Sequence, residues 1–366
     1  MRHFAARRFG LEFSLGAICA LSACAAERTP PTGTPAAAAV NAVASRRCEL
    51  DICPSNFVPV LGLRSAASSV VAGGHGVWAL DDQGAIYRLN ANTKRFDPVP
   101  GVLAWISVGG GDFVPSEDWV WGGTGDGNHI FCWDCYFTPN QWGERESPPG
   151  DLIRFVAAGP GHNLDGCHRQ EVWGISVANH LFRISACTLG WVKIDGPPLV
   201  TIAAGGGEVW GLDGAGQVFR IDATAMPVSF EQKRGKLTRI AVGVDGVWGI
   251  LDPSPVDTGG AVIARIGGGV SLAPQVFQYD LATGTFVQIP NAEMKVIAAG
   301  GNGVWALDGS GHAFRLQAVT RKFIPVPSVP LLSLTVGSGT DVWGIDQNHQ
   351  IRAFVTPARL IVPALP

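Results

Sequence analysis

The sequence predicts an all-β fold, a β-propeller of four-stranded blades, and two observations carry that expectation. Helical hydrophobic periodicity is absent after the N-terminus, while 48 glycines and 25 prolines punctuate short alternating segments. The dipeptide Val-Trp then recurs seven times, with its tryptophans at Trp78, Trp121, Trp173, Trp210, Trp248, Trp305 and Trp343, at intervals of 43, 52, 37, 38, 57 and 38 residues. The short intervals define a repeating unit and the long ones contain insertions.

Each unit reads as four strands. The cleanest copies are TIAAGGGEVWGLDGAGQVFRID (201–222) and VIAAGGNGVWALDGSGHAFRLQ (296–317). A small-residue strand such as Ile202 to Gly205 comes first, then the Val-Trp strand. The turn Asp213 to Gly216 leads to a third strand, Val218 to Ile221. Fourth strands begin at Phe96, Trp191, Phe286 and Phe323.

Arginine lies ten residues after the tryptophan in four copies: Trp78/Arg88, Trp173/Arg183, Trp210/Arg220 and Trp305/Arg315. A turn centred five residues on sets each pair opposite on one face of a hairpin. On the other face, the small residue after each tryptophan meets an aromatic (Tyr87, Phe182, Phe219 or Phe314), which predicts that its size makes room for the ring. Both faces are thus built to be packed, as a blade between two neighbours requires. Seven motifs predict seven blades, six being the alternative. The ring is closed either by Phe57 to Val60, joining the last blade, or by Leu360 to Leu365.

Composition narrows the function classes. Hydrophobic residues make up 46% and charged residues 16%, ample for a core, and the net charge is −3. Without residues 1–23 there are 24 basic against 29 acidic residues, a net −5, so no nucleic-acid footprint is present.

The N-terminus predicts export. Arg2, Arg7 and Arg8 precede an apolar stretch from Leu11 to Ala23, the layout of a secretory signal. It ends in Leu21-Ser22-Ala23-Cys24, which resembles a bacterial lipobox and implies lipidation at Cys24. Ala25 in place of Asp after the cysteine implies the outer membrane. The expected order is therefore a signal over 1–23, a lipidated cysteine with a Pro/Ala/Thr-rich tether over 24–46, and a propeller over 47–366.

The repeated string resembles the tectonin repeat, found in slime-mould tectonin and in horseshoe-crab and fish-egg lectins, over residues ~66–357. That resemblance implies a propeller that binds carbohydrate, with a glycan or lipopolysaccharide component as partner and no cofactor. The chromosome-condensation-regulator repeat is similar to a lesser degree, and implies a protein-interaction scaffold of the cell envelope instead. The second, fifth and seventh copies depart from the Trp/Arg pattern, with Phe131-Cys132, Gln278 and Arg352 near the expected arginine.

Two readings of the Trp/Arg pairs follow. Trp78, Trp173, Trp210 and Trp305 are blade core braced by a stacked arginine, or they lie at the rim and hold a sugar with Arg88, Arg183, Arg220 and Arg315. Asp81, Asp213, Asp308 and Asp346, three residues after the tryptophan, are turn formers or sugar ligands. Cys48, Cys53, Cys132, Cys135, Cys167 and Cys187 form an even set that predicts disulfides in an exported protein. Local spacing favours Cys167 with Cys187, Cys48 with Cys53 and Cys132 with Cys135. The alternative is a zinc site of Cys132, Cys135, Cys167 and His168. No nucleophile elbow or zinc-protease motif occurs, so binding rather than catalysis is expected.

Overall fold

A computed structural model describes residues 56–73, 76–109, 120–133, 140–148, 150–158, 172–184, 190–253, 273–337 and 341–355. The signal, Cys24, the tether and the C-terminal strand candidate at 360–365 lie outside them.

The described residues form 28 strands arranged as seven antiparallel four-stranded blades. After β1 (Asn56–Pro59), the first blade is β2 (Ala67–Gly73), β3 (Gly76–Asp81), β4 (Ala85–Leu89) and β5 (Phe96–Val102). The second is β6 (Trp105–Val108), β7 (Val120–Gly123), β8 (His129–Trp133) and β9 (Trp142–Glu146). The third is β10 (Ile153–Ala158), β11 (Val172–Ser176), β12 (Leu181–Ile184) and β13 (Trp191–Ile194). The fourth is β14 (Leu199–Gly205), β15 (Glu208–Asp213), β16 (Gln217–Asp222) and β17 (Ser229–Lys236). The fifth is β18 (Arg239–Gly243), β19 (Gly246–Leu251), β20 (Gln275–Asp280) and β21 (Thr285–Gln288). The sixth is β22 (Val296–Gly300), β23 (Gly303–Leu307), β24 (Ala313–Gln317) and β25 (Lys322–Val326). The seventh is β26 (Leu331–Val336), β27 (Val342–Asp346) and β28 (Ile351–Val355).

The seventh blade takes its outer strand from the start of the chain. β1 pairs with β28, Phe57 opposite Phe354 and Asn56 opposite Val355. Of the two closures the sequence allowed, this is the one formed. One parallel bridge, Arg234 to Thr285, also joins the outer strands of the fourth and fifth blades.

The first strands stand in a circle, each against the next, with β26 meeting β2. Their small residues follow from that crowding. A Cβ on Gly205 would lie 2.4 Å from the Val242 carbonyl oxygen, and one on Gly300 would lie 2.6 Å from that of Val336. Such approaches are closer than any side chain tolerates.

The core is divided among the seven interfaces. In each, the tryptophan face of one blade meets the Val and aromatic face of the next, as Trp210, Leu212 and Val218 meet Val242, Val247 and Tyr279. The last interface packs Trp343, Ile345 and Ile351 on Val77, Ala79 and Tyr87 of the first blade.

Backbone hydrogen bonds repeat along with the packing. The left-handed residue of the second hairpin turn (Gly84, Gly216 or Gly311, φ 76–83°) accepts from the first apolar residue of the next blade, respectively Leu103, Leu237 and Leu331, at 2.8–2.9 Å. Asn179 (φ 65°) and His349 (φ 58°) do the same for Leu199 and Ala67. Glycine suits these turns because it enters that region without steric cost.

One packing expectation changes. In the four Trp/Arg copies the small residue after the tryptophan does face the aromatic in register, as Gly211 opposite Phe219 and Gly174 opposite Phe182. In the second, fourth and fifth blades, however, the free space at the small residue is taken by a leucine from the start of the same blade. A Cβ on Gly122, Gly211 or Gly249 would lie 2.3–2.6 Å from Leu103, Leu199 or Leu237. Leu103 and Leu237 arrive from the connecting segment and Leu199 from the first residue of β14, all beyond the hairpin that the spacing describes.

Candidate functional site

Alternation along β-strands places each Trp/Arg pair on one face. Trp78 lies opposite Arg88, Trp173 opposite Arg183, Trp210 opposite Arg220 and Trp305 opposite Arg315, as the ten-residue spacing predicts. Cys132, Gln278 and Ala353 occupy the arginine's place opposite Trp121, Trp248 and Trp343. Arg352 falls on the other face, where its Nε donates to Asp346 at 2.8 Å.

The four indoles are fully buried. That corrects the reading in which Trp78, Trp173, Trp210 and Trp305 stack on a ligand, since no ring face is open to one. Guanidinium groups cover the rings instead, 5.3 Å from the centroid for Arg88 over Trp78, 5.8 Å for Arg183 over Trp173 and 5.6 Å for Arg315 over Trp305. At these distances a cation is attracted to the negative ring face. Arg220 and Arg315 are exposed, and Arg88 and Arg183 half-buried, so the polar ends of the pairs reach the surface.

Third residues complete two of the clasps. Glu208 accepts from Trp210 Nε1 at 3.0 Å and from Arg220 Nη2 at 2.8 Å. Asn302 accepts from Trp305 Nε1 through its carbonyl and from Arg315 Nη2 through its side chain, both at 3.1 Å. Arg183 reaches across to the Ala223 carbonyl of the fourth blade at 3.3 Å.

The aspartates three residues after tryptophan close turns. Asp213 Oδ1 accepts from the backbone of Ala215 at 2.9 Å and of Gln217 at 2.8 Å. Asp308 does so for Ser310 and His312, and Asp346 for Asn348 and Gln350, all at 2.9 Å. Asp81 adds its second oxygen to the Tyr87 hydroxyl at 2.9 Å. Their lone pairs are committed to the fold, which is the turn-forming reading.

Two grooves open among the described residues. One of about 380 Å³ is lined by Glu208, Arg220, Asp222, Thr224, Ser229 and Glu231 and so includes one arginine of the sequence set. Asp222 there is held below the usual carboxylate range by its hydrogen bonds from Thr224. The larger, about 520 Å³, lies between the outer edge of the fifth blade and the β24–β25 turn of the sixth. Val287, Ile289, Pro290 and Phe323 give it apolar walls, and Asp280, Gln288, Asn291, Thr320, Arg321 and Lys322 give it polar ones. Arg321, in the left-handed region at φ 53°, also contacts Gln278 across the blades. Spacing missed this groove because its walls come from different repeats, and the Thr-Arg-Lys run after β24 was its one local signal.

Ser176, Asp151 and His180 form a polar cluster on the third blade. Burial alone would raise the Asp151 carboxyl, but hydrogen bonds from Ser176 and His180 hold it low. The serine serves the carboxylate, and His180 meets that same carboxylate through Nδ1. A nucleophilic triad requires the imidazole on the hydroxyl instead. Cys132 is buried and disulfide-bonded, which withdraws its sulfur from the alternative zinc set. Cys48, Cys53, Cys135, Cys167, Cys187 and His168 lie outside the described residues.

Comparison with known proteins follows the architecture. A profile described as the tectonin domain matches residues 55–220 and 167–254. No curated protein sequence matches the chain. Among solved structures, the chain is similar to virginiamycin B lyase from Staphylococcus aureus, with a TM-score of 0.55, 14% identity, and 82% of this chain and 98% of that chain covered. The Cps50 (Swd1) β-propeller domain of Myceliophteria thermophila gives a TM-score of 0.58 and 10% identity over 83% of this chain and 100% of that chain. YCF48 bound to D1 peptide gives 0.56 and 13% over 87% and 99%. At these identities the likeness is one of fold.

Proposed function

The chain belongs to the tectonin-domain family, and on that premise we propose that it is a glycan-binding propeller rather than an enzyme. The observation that carries this reading is the groove between the fifth and sixth blades. A sugar ring offers an apolar C–H face and a rim of hydroxyls, and the groove sets Phe323 and Ile289 beside Asp280, Asn291 and Gln288. Arg321 and Lys322 on the same wall favour a glycan bearing carboxylate or phosphate.

Glycan-array binding and calorimetry on residues 47–366 test the reading. Acidic bacterial glycans should bind, and Arg321→Ala with Lys322→Ala should weaken them by about tenfold or more, the worth of one charge-assisted hydrogen bond. Absence of binding above background across methylated, acidic and bacterial sugars would count against it.

A second reading, a protein-interaction scaffold, draws on the similarity to YCF48, a propeller observed with a peptide bound. One stoichiometric protein partner from membranes, not competed by sugars, would favour it. The export signal adds the proposal that the propeller is displayed from the outer membrane through Cys24. Fatty-acid labelling that persists in Cys24→Ala would contradict that anchor.

A further inference from the structure

Strand alternation gives the propeller two ends. In every blade the first and third turns emerge at one end, and the second turn and the blade-to-blade connection at the other. The first end carries four exposed apolar residues on turns of three successive blades. Met226 and Leu281 lie in the third turns of the fourth and fifth blades, Val244 in the first turn of the fifth, and Val319 in the third turn of the sixth. Their exposures are 73%, 77%, 65% and 92%. The two flanking residues of each turn are paired, Asp222 with Ser229, Gly243 with Gly246, Asp280 with Thr285 and Gln317 with Lys322, so each apolar chain stands on a fixed hairpin.

The chain joins the propeller at this same end. β1 runs antiparallel to β28 with Asn56 opposite Val355, the end of β28 remote from its hairpin with β27. β1 therefore begins at the end that carries the four tips. Arg321 and Lys322 follow Val319 after Thr320, and Lys94 and Arg95 lie in the matching turn of the first blade.

We propose that this end of the propeller rests on an anionic lipid surface, with Met226, Val244, Leu281 and Val319 entering the boundary between headgroups and acyl chains. Single apolar side chains on separate turns, spaced by polar residues, do not form the contiguous patch that a protein partner covers. A bilayer needs no matching sockets, because lipids move aside for each tip, and neighbouring lysine and arginine add attraction to anionic headgroups. β1 enters its sheet at this same end, so an anchor upstream of Asn56 is compatible with this orientation. Arg321 and Lys322 also line the glycan groove, whereas the four apolar tips line no part of it, so the tips carry this inference by themselves.

The test uses the full chain mixed with vesicles of phosphatidylglycerol and phosphatidylethanolamine. Photoreactive benzoylphenylalanine replaces Val319 or Leu281 or, as the reference, Val329, which is exposed in the connection at the opposite end. Irradiation should give lipid adducts from positions 319 and 281 at several times the yield from 329. Val244→Asp with Met226→Asp should lower that yield without changing the circular dichroism. Equal lipid yields at all three positions would overturn the proposal, and so would adducts to a second copy of the chain in place of lipid.

Discussion

Trp210 and Arg220 face each other across β15 and β16, and Glu208 binds both, taking the indole hydrogen on one oxygen and the guanidinium on the other. The pair is therefore bridged by a carboxylate two residues upstream of the tryptophan. The two roles of that carboxylate separate by substitution. Glu208→Gln keeps an acceptor for the indole and loses only a partly exposed ion pair, so its cost should stay under about 1 kcal/mol. Glu208→Ala leaves a buried N–H without its partner and should cost about 1–3 kcal/mol. Urea midpoints measure both, and equal losses would show that the indole hydrogen bond contributes nothing.

Closure by β1 should be stability-limiting. Phe57 is buried against Trp305 at 6.1 Å and Phe354 at 5.6 Å. Phe57→Ala should cost about 3–5 kcal/mol, the usual result of emptying a buried aromatic site. A chain begun after Pro59 should melt well below the full chain. Matching melts would mean that the ring closes without this strand.

Acid should loosen the second-turn aspartates. Burial alone would raise the Asp346 carboxyl, but the Gln350 and Asn348 amides and the Arg352 guanidinium hold it below its ordinary value. Asp308 is held low in the same way by His312 and Ser310. Exposed Asp126 is lowered to about 2 by Thr124 and Asn128. A depressed folded-state value means stability that is present above the unfolded carboxylate value of ~3.9 and lost as pH falls through the folded value. Stability should thus fall from about pH 4 towards pH 2. Asp346→Asn should be less stable than the parent at neutral pH and converge with it near the acid limit. Parallel curves would exclude Asp346 from the transition.

Cys132 fills the arginine's position in the second blade, buried beside Val172, Phe182 and Ile184 of the third. Its disulfide should contribute about 2–4 kcal/mol. Cys132→Ser should therefore lower the denaturation midpoint under oxidising conditions, and the parent should lose a similar amount on reduction. Non-reducing peptide mapping then identifies the partner. An unchanged midpoint in both experiments would deny the bond any role in stability.

Blade number and the Trp/Arg register were legible because a short hairpin fixes which residues oppose one another. Trp305 and Arg315 needed nothing beyond their spacing. Whether each tryptophan ring lies in the core or at the rim was not legible from the same pattern, since alternation assigns a residue to a face but not to a depth along it. The filling of Gly249 by Leu237 and the walls of the groove at Phe323 and Ile289 depend on contacts between segments that share no local pattern. Ring closure had two candidates of similar composition, and only the pairing of Phe57 with Phe354 separates them.

The strand that completes the last blade is among the first parts of the body to be synthesised, and β28, its partner, is among the last. Until β28 emerges, Phe57 has no sheet to join, and Val77, Ala79 and Tyr87 of the first blade lack the covering face of Trp343. Folding that follows the order of synthesis thus leaves two sticky surfaces waiting near the start of the chain for partners near its end. Loop closure over such sequence separation is slow and exposes the intermediate to aggregation. A nascent molecule of this design keeps those surfaces uncovered until β28 emerges.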